Sequence, residues 1–225
     1  MDFAGSSNDM TSDALPEAQS SKTGTLVRFE FDPQKKWFVF RASYGRVEKA
    51  LDILVEDGTY AYYAQHYVQQ VVRGKRKKVL KALIPNLLFA YTTEEKAEQY
   101  IKATPALSFL SYYYNHFERD SQYKNPPLTV SNDEMFNFIR TTVTRSEHLM
   151  FVKPSQCHFK SGERVRVVEG LFQGVEGRVA RVAGQQRVIV SLSKVGLIST
   201  AYIPTAFIEK CNTDTSTSTE NLENL

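Results

Sequence analysis

Cysteine and long apolar runs are both scarce in this chain of 225 residues. Its two cysteines, Cys157 and Cys211, are too few for a disulfide framework, which favours reduced thiols and a cytoplasmic location. No segment approaches the roughly 18 consecutive apolar residues that a membrane span requires. Because the net charge is only +3, a basic surface must come from local clustering of Lys and Arg.

Motifs of catalysis and of metal binding are also missing. The histidines are scattered, and none lies in a metalloprotease, zinc-finger or nucleophile pattern. Cys157, His158 and Cys211 could be imagined as metal ligands, but neighbouring residues on a strand point to opposite faces and no fourth ligand is evident. We therefore expect no enzyme, no metal site and no cofactor.

Composition divides the chain into two ordered parts between two polar ends. Residues 1–32 and 212–225 are rich in small and polar residues without a periodic apolar face, which predicts disordered tails. Residues 33–145 are predicted to form an α+β domain with an antiparallel sheet. Residues 146–156 are the candidate linker, and residues 157–211 the candidate second domain.

The second domain shows the period of short, half-buried strands. A turn at Ser161–Gly162 precedes a strand in which Val165 and Val167 alternate with arginines. Phe172 is the apolar plug of the following Gly-rich reversal, and Gly177 supplies backbone freedom after it. Further strands are predicted over 175–182, 187–192 and 197–203, a pitch that indicates a small antiparallel barrel.

The first domain alternates strands and helices. An aromatic strand at 37–41 leads to a helix over about 46–56, and a charged hairpin tip spans 73–78. Capping boxes begin two further helices, one at Thr92 and Glu95 and one from Ser131 to Glu134. The stripe of the last helix is Met135, Phe138, Ile139 and Thr142.

Several segments resemble one family of transcription factors. The glycine spacing around Leu171–Phe172 resembles the KOW motif of NusG-type factors and of some ribosomal proteins. Lys36–Val39, which opens the first strand, resembles the start of the NusG N-terminal domain. Val71–Arg76 with Ile84–Phe89 resembles RfaH. The phrases Asn86–Thr93 and Thr200–Pro204 are closer still to the UpxY-type antiterminators of polysaccharide operons, and the whole resemblance covers Lys36–Lys210.

The resemblance implies a fold and a non-enzymatic function. The fold would be a NusG-type α/β sandwich with an antiparallel sheet, followed by an SH3-like β-barrel with a KOW motif. The chain would be a monomer that binds the clamp helices of the largest RNA polymerase subunit and promotes processive transcription of a polysaccharide operon. The barrel would recruit a ribosomal protein or the termination factor Rho. No membrane contact is implied.

Candidate contacts follow from the resemblance and from residue chemistry. Exposed apolar side chains on a firm sheet suit a helical partner, whereas cations beside an aromatic ring suit nucleic acid such as the non-template DNA strand. The polymerase candidates are Phe38, Leu87, Phe89, Tyr112 and Tyr114; the nucleic-acid candidates are Tyr44, Arg46, Lys49, Arg73, Lys75 and Arg76; the partner-binding candidates of the barrel are Phe172 and Ile198.

Other interpretations remain open at this point. The apolar candidates could be ordinary core residues, and the charge runs could be a solvated loop and helix face. The chain also departs from the family, because Leu87 stands where an aromatic residue is common and the His-Thr-Thr triplet of RfaH is absent. A housekeeping NusG and a ribosome-associated RNA-binding KOW protein are the alternative functions.

Overall fold

The computed structural model describes residues 15–119 and 121–211, which form a mixed α+β protein with antiparallel sheets, as the sequence predicts. No helix within those residues is long and apolar enough to cross a bilayer. Their α-helices are α1 Val47–Glu56, α2 Glu94–Lys102 and α3 Asn132–Thr142. Their strands are β1 Ala18–Gln19, β2 Leu26–Val27, β3 Lys36–Ala42, β4 Tyr60–Tyr62, β5 Gln65–Val72, β6 Lys75–Ala82, β7 Leu87–Thr92, β8 Leu110–Tyr112, β9 Thr129–Val130, β10 Met150–Val152, β11 His158–Val167, β12 Glu176–Val182, β13 Gln185–Leu192, β14 Gly196–Tyr202 and β15 Ile208–Lys210.

The first sheet has five strands in a split β-α-β arrangement. Its order is β4-β7-β3-β8, and β9 also pairs with β3. Because each of these neighbours is antiparallel, β3 runs parallel to β4 and β7 runs parallel to β8. α1 and α2 make the two crossovers, and the right-handed connection that such crossovers adopt places both helices on one face. α3 packs on the other face, where the ring of Phe138 lies 5.2 Å from that of Phe89.

Side-chain caps begin α2 and α3. Ser131 Oγ accepts a hydrogen bond from the Glu134 N–H at 3.4 Å, which confirms Ser131 as the N-cap. The Glu134 carboxylate accepts from the Ser131 hydroxyl at 3.1 Å, whereas in the predicted capping box it would accept from the Ser131 N–H. α2 begins one position later than predicted, because Thr93 Oγ1 accepts from the Lys96 N–H at 3.3 Å. Thr92 is instead the buried last residue of β7.

Residues 15–32 are packed on the first sheet, which corrects the predicted tail for this part of it. Phe29 is 7 % exposed, and its ring stacks on Trp37 with 5.9 Å between centroids. The Tyr91 hydroxyl donates to the Asp32 carbonyl at 2.8 Å. Phe29 and Ala18 join the core, and Leu15 and Val27 pack against it, so burial of apolar side chains holds this segment on the domain.

The hairpin of β1 and β2 fastens the same segment to α1. The Ser21 N–H and hydroxyl donate to the Asp52 carboxylate at 2.6 and 3.0 Å. The Ser20 hydroxyl donates to the Glu56 carboxylate at 3.1 Å. The remainder of the predicted tails, residues 1–14 and 212–225, lies outside the described residues.

The second sheet has six strands in the order β10-β14-β13-β12-β11-β15. The strands predicted from alternation over 175–182, 187–192 and 197–203 correspond to β12, β13 and β14. β10 pairs with β14 although it falls inside the predicted linker 146–156. Val152 of β10 is buried in an apolar cluster with Cys157, so the sheet begins before residue 157.

β11 contains an irregular interval near its start. Its register against β12 shifts between Phe159 and Arg164, the interval that contains the predicted turn at Ser161–Gly162. Such a shift inserts extra backbone without reversing the chain. The predicted turn at Ser161–Gly162 falls within this irregular interval of β11.

α3 lies between the two sheets. Met135, Phe138 and Ile139 form its buried apolar stripe, as predicted, and Thr141 and Thr142 are buried as well. A helix that is buried on more than one side is covered by more than one element.

The contact between α3 and the second sheet adds hydrogen bonds to a shared apolar cluster. Asn137 Nδ2 donates to the Glu176 carbonyl at 2.7 Å, and Asn137 Oδ1 accepts from the Glu176 N–H at 2.9 Å. Arg140 donates to the Gly174 carbonyl at 2.9 Å. The side chains of one helix therefore satisfy backbone groups of the loop that carries the KOW-like glycines.

Candidate nucleic-acid interface

The hairpin of β5 and β6 carries the predicted cations Arg73, Lys75 and Arg76 on exposed positions. Its turn consists of Arg73 and Gly74, with φ of 52° and 73°. Positive φ at both central residues is typical of the type I′ turn, whose twist matches that of the flanking strands. The hairpin is a separate sheet of two strands, so its register alone determines which side chains share a face.

One face of the hairpin is fastened to the connector, which we define as residues 143–149 between α3 and β10. Lys78 Nζ lies 3.6 Å from the Glu147 carboxylate, to which Gln69 Nε2 also donates at 3.2 Å. The Tyr67 N–H donates to the Arg145 carbonyl at 3.1 Å. These contacts fix the hairpin relative to the rest of the chain.

His66 lies at the base of the hairpin and contacts the same connector. Burial lowers the pKa of His66, and its hydrogen bond with the backbone of Leu149 partly opposes that effect. The neutral imidazole is therefore the form that this packing favours.

A second group of predicted residues forms what we call the stacking cluster: Tyr44, Arg46, Lys49 and Phe109. The Arg46 guanidinium carbon lies 4.2 Å from the centroid of Phe109 and 5.1 Å from that of Tyr44. Lys49 Nζ lies 5.6 Å from the centroid of Phe109. The structure thus places Arg46 and Lys49 over one aromatic ring, Phe109, that the sequence analysis did not single out. Tyr44 joins the cluster through its contact with Arg46.

Tyr44 is presented to solvent by a strained backbone. Its φ of 58° is left-handed, which costs a non-glycine residue about 1–2 kcal/mol. The side chain is nevertheless 88 % exposed and gains no burial in return.

The predicted polymerase residues do not form one exposed patch. Phe38, Leu87 and Phe89 are 3 %, 6 % and 0 % exposed. Phe38 pairs with Ala90, one position from Phe89, so these two rings lie on opposite faces of the sheet. The expectation of an open apolar face is corrected, because α3 covers one face and the crossover helices cover the other.

The two predicted tyrosines are the accessible members of that set. Tyr112 is half-buried and lies 5.6 Å from the ring of Phe40. Tyr114 is 42 % exposed and packs edge-on against Tyr112 at 6.1 Å. Burial raises the pKa of Tyr112 to about 12, with smaller contributions from Glu98 and Glu94 of α2. We call the contacting rings of Phe40, Tyr112 and Tyr114 the aromatic ladder; it runs from the core to the surface beside α2.

The predicted partner-binding residues of the second sheet are core residues. Phe172 is 4 % exposed and Ile198 is fully buried, so neither offers a surface to another protein. Phe172 keeps its predicted role as the apolar plug of its loop. The neighbouring Leu171 is 65 % exposed, and it is the apolar side chain that this loop presents to solvent.

Two contributors to the interface escaped the sequence reasoning. Phe109 lies more than fifty positions from Arg46 in sequence, so its role depends on the pairing of β3 with β8. The hydrogen bond from the Ser43 N–H to the Phe109 carbonyl at 3.0 Å brings them together. Glu147 was assigned to the linker, and only its contact with Lys78 gives it a role in positioning the hairpin.

No group of three or more His, Cys, Asp or Glu side chains with the geometry of a metal site occurs in the part of the chain that the structure describes. Cys157 and Cys211 are free thiols, and burial raises the pKa of both. No family model matches the chain, and no curated protein matches it significantly in sequence.

Proposed function

We propose that this chain is a non-enzymatic transcription elongation and antitermination factor that acts in the cytoplasm on RNA polymerase. The family resemblance of Lys36–Lys210 supports the assignment, and the α+β architecture with antiparallel sheets is compatible with a NusG-type domain followed by an SH3-like barrel. The specialised UpxY-like phrases favour action at a polysaccharide operon.

The observation that carries the proposal is the stacking cluster. A single nucleic-acid strand exposes the faces of its bases, and aromatic and guanidinium planes bind those faces. Tyr44 offers an exposed ring, and Arg46 contacts both that ring and the buried Phe109. We infer that this cluster contacts the displaced non-template strand of a transcribing complex.

Crosslinking tests this contact directly. A photoreactive residue introduced at Lys49, which is exposed at the rim of the cluster, should react with non-template DNA in a stalled elongation complex. Tyr44→Ala should reduce the yield, whereas Tyr123→Ala, which removes another tyrosine that is 81 % exposed, should not. Absence of any DNA adduct in complexes that do contain the protein would refute the contact.

The polymerase contact is assigned to the accessible end of the aromatic ladder. Tyr114 and the partly exposed Tyr112 lie beside α2, where Lys102 and Glu98 flank them. Tyr114→Ala should reduce capture of polymerase without unfolding the chain. Capture that is unchanged in this variant would move the contact elsewhere, and no capture by the wild-type chain would overturn the function.

The second sheet would recruit the second partner, a ribosomal protein or Rho. Since Phe172 and Ile198 are buried, the exposed Leu171 is the apolar contact that the KOW-like loop offers. Leu171→Ser should weaken that recruitment and leave polymerase capture intact.

The cationic hairpin also suits a ribosome-associated RNA-binding protein, which is the alternative function. That alternative predicts cosedimentation with ribosomes and no capture of polymerase. A housekeeping NusG differs from an antiterminator in its range of action, so occupancy across many transcription units would favour it.

A further inference from the structure

The charged side chains of the hairpin of β5 and β6 are all positive. No Asp or Glu occurs from residue 58 to residue 93. Within the described residues, Lys78 is the hairpin cation that pairs with a carboxylate. The cations of this segment are Arg73, Lys75, Arg76, Lys77, Lys78 and Lys81.

The register divides these cations between the two faces. Lys75, Lys77 and Lys81 stand opposite Val72, Gln70 and His66, and alternation places all three on one face. We call this the lysine face. The three lysines therefore form one row along β6.

The opposite face is the anchored one. Arg76 and Lys78 project there, and Lys78 both pairs with Glu147 and lies 5.0 Å from the ring centroid of Tyr67. Because Lys78 fastens this face to the connector, Lys75 and Lys77 point away from that contact. At the base of the hairpin, His66 shares the lysine face with Lys81 and contacts the connector at Leu149. All three lysines of the lysine face are exposed.

We propose that the lysine face binds the phosphodiester backbone of duplex nucleic acid without reading its sequence. The proposal rests on the function proposed above and adds a second nucleic-acid site to it. Alternate residues of a strand are about 6.8 Å apart, a distance equal to about two base steps along a duplex. Lysine ammonium groups act as point charges that bind phosphate without a fixed geometry, which suits backbone contact.

The composition of the lysine face favours a duplex over a single strand. Single-strand sites combine cations with aromatic rings on which bases stack. The aromatic residue of the hairpin, Tyr67, lies on the anchored face beneath Lys78. Stacking is instead available at Tyr44, so the two sites suit two different forms of nucleic acid.

A lipid surface is the less suitable polyanion. Peripheral membrane segments join their cations to a broad apolar face that enters the headgroup region. The lysine face has only isolated valines between its charges, such as Val72 and Val79, and both are half-buried. Vesicles rich in anionic lipid therefore serve as a comparison ligand in the test.

The test compares two variants of equal charge in the full chain. Lys75→Gln with Lys77→Gln removes two cations from the lysine face, and Arg76→Gln with Lys78→Gln removes two from the anchored face. Binding of a labelled mixed-sequence duplex, a labelled single strand and anionic vesicles is measured over a range of salt, and thermal unfolding checks that each variant folds.

The expected result is a difference between the faces. Three phosphate contacts should make wild-type affinity for the duplex fall about fortyfold for a fourfold rise in salt. The lysine-face variant should lose most of this dependence, and Lys75→Arg with Lys77→Arg should restore it. The anchored-face variant should keep it, and the single strand should be affected less than the duplex.

Several results would overturn the inference. Equal losses in the two variants would mean that total charge, and not the lysine face, determines binding. Tighter binding to vesicles than to the duplex would assign the face to lipid. Polymerase capture separates the two proposals: captured polymerase with no face-dependent duplex binding refutes the lysine face alone, whereas face-dependent binding without capture refutes the proposed function alone.

Discussion

Leu87 shows how a single side chain separates a structural role from a binding role. It is 6 % exposed on β7, directly before the buried Leu88. A charge at this position would lack a partner and lose its hydration, which is costly in a protein interior. A charged variant at Leu87 therefore tests the stability of the fold and not a surface contact.

Leu87→Glu should lower the free energy of unfolding by about 3–5 kcal/mol, as expected for an unpaired buried charge. Tyr114→Glu, at a position that is 42 % exposed, should change it by less than about 1 kcal/mol. Urea denaturation followed by circular dichroism measures both. Equal stability of the two variants would show that Leu87 is not part of the core.

The aromatic residues of β3 show why the sequence could not distinguish these roles. Alternation correctly places Phe38 and Trp37 on opposite faces, but it does not reveal what covers each face. Here α3 and the packed segment around Phe29 cover one face. The segment around Phe29, which was predicted to be part of a disordered tail, covers part of this face of the sheet. Its aromatic residue is the feature of the sequence that could have indicated this packing.

At the scale of elements, glycine is required at Gly74 and at Gly177 for different physical reasons. Gly74 has a φ of 73°, and an added Cβ would meet no other atom, so glycine is favoured there by the backbone conformation alone. Gly177 has no positive φ, but an added Cβ would lie 2.7 Å from Val188 Cγ1 and would also contact the Ile189 carbonyl. The predicted role of Gly177 in backbone freedom is therefore wrong, and close packing of β12 on β13 explains it.

Alanine substitutions separate these two reasons. Gly74→Ala should cost about 1 kcal/mol of stability through left-handed strain alone. Gly177→Ala should cost about 2–3 kcal/mol, because the strands must move apart to admit a methyl group. Thermal unfolding of both variants measures which substitution destabilises the chain more. A larger loss of stability in Gly74→Ala than in Gly177→Ala would contradict this explanation.

The hairpin base should also confer a dependence of stability on pH. The folded-state pKa of His66 lies below its ordinary value of 6.5, so the unfolded chain binds the proton more tightly. This contribution is fully present above pH 6.5 and is lost as the pH falls toward the folded-state pKa.

His66→Gln removes the titrating group and retains an amide that can bond to the Leu149 backbone. The wild-type chain should lose more thermal stability than the variant when the pH falls from above to below 6.5. His116→Gln, which alters an exposed histidine, should behave as the wild type does. Identical pH profiles for all three proteins would exclude the role of His66.

At the scale of the whole molecule, local patterns predicted most elements but not the arrangement of the two sheets. Capping at Ser131 and alternation around Val165 are signals within a few residues, and the corresponding elements formed. The contact of α3 with the second sheet depends on Asn137 and Glu176, which lie 39 positions apart. An asparagine within a helix carries no local sign that it will bind a distant backbone.

That contact can be tested through the Glu176 amide. Asn137→Ala removes both hydrogen bonds and leaves the Glu176 N–H and carbonyl to find water or remain unpaired. Such a loss should cost about 1–3 kcal/mol if both groups stay buried. Amide hydrogen exchange at Glu176 should become faster in this variant, while exchange within β13 should change little.

Asp133→Ala serves as the matched control, because it alters an exposed side chain in the first turn of the same helix. It should leave exchange at Glu176 unchanged. If exchange at Glu176 were equally slow in wild-type and Asn137→Ala chains, the two sheets would not be joined through this side chain. If instead exchange rose throughout the second sheet, α3 would be needed for the stability of the whole sheet and not only for its attachment.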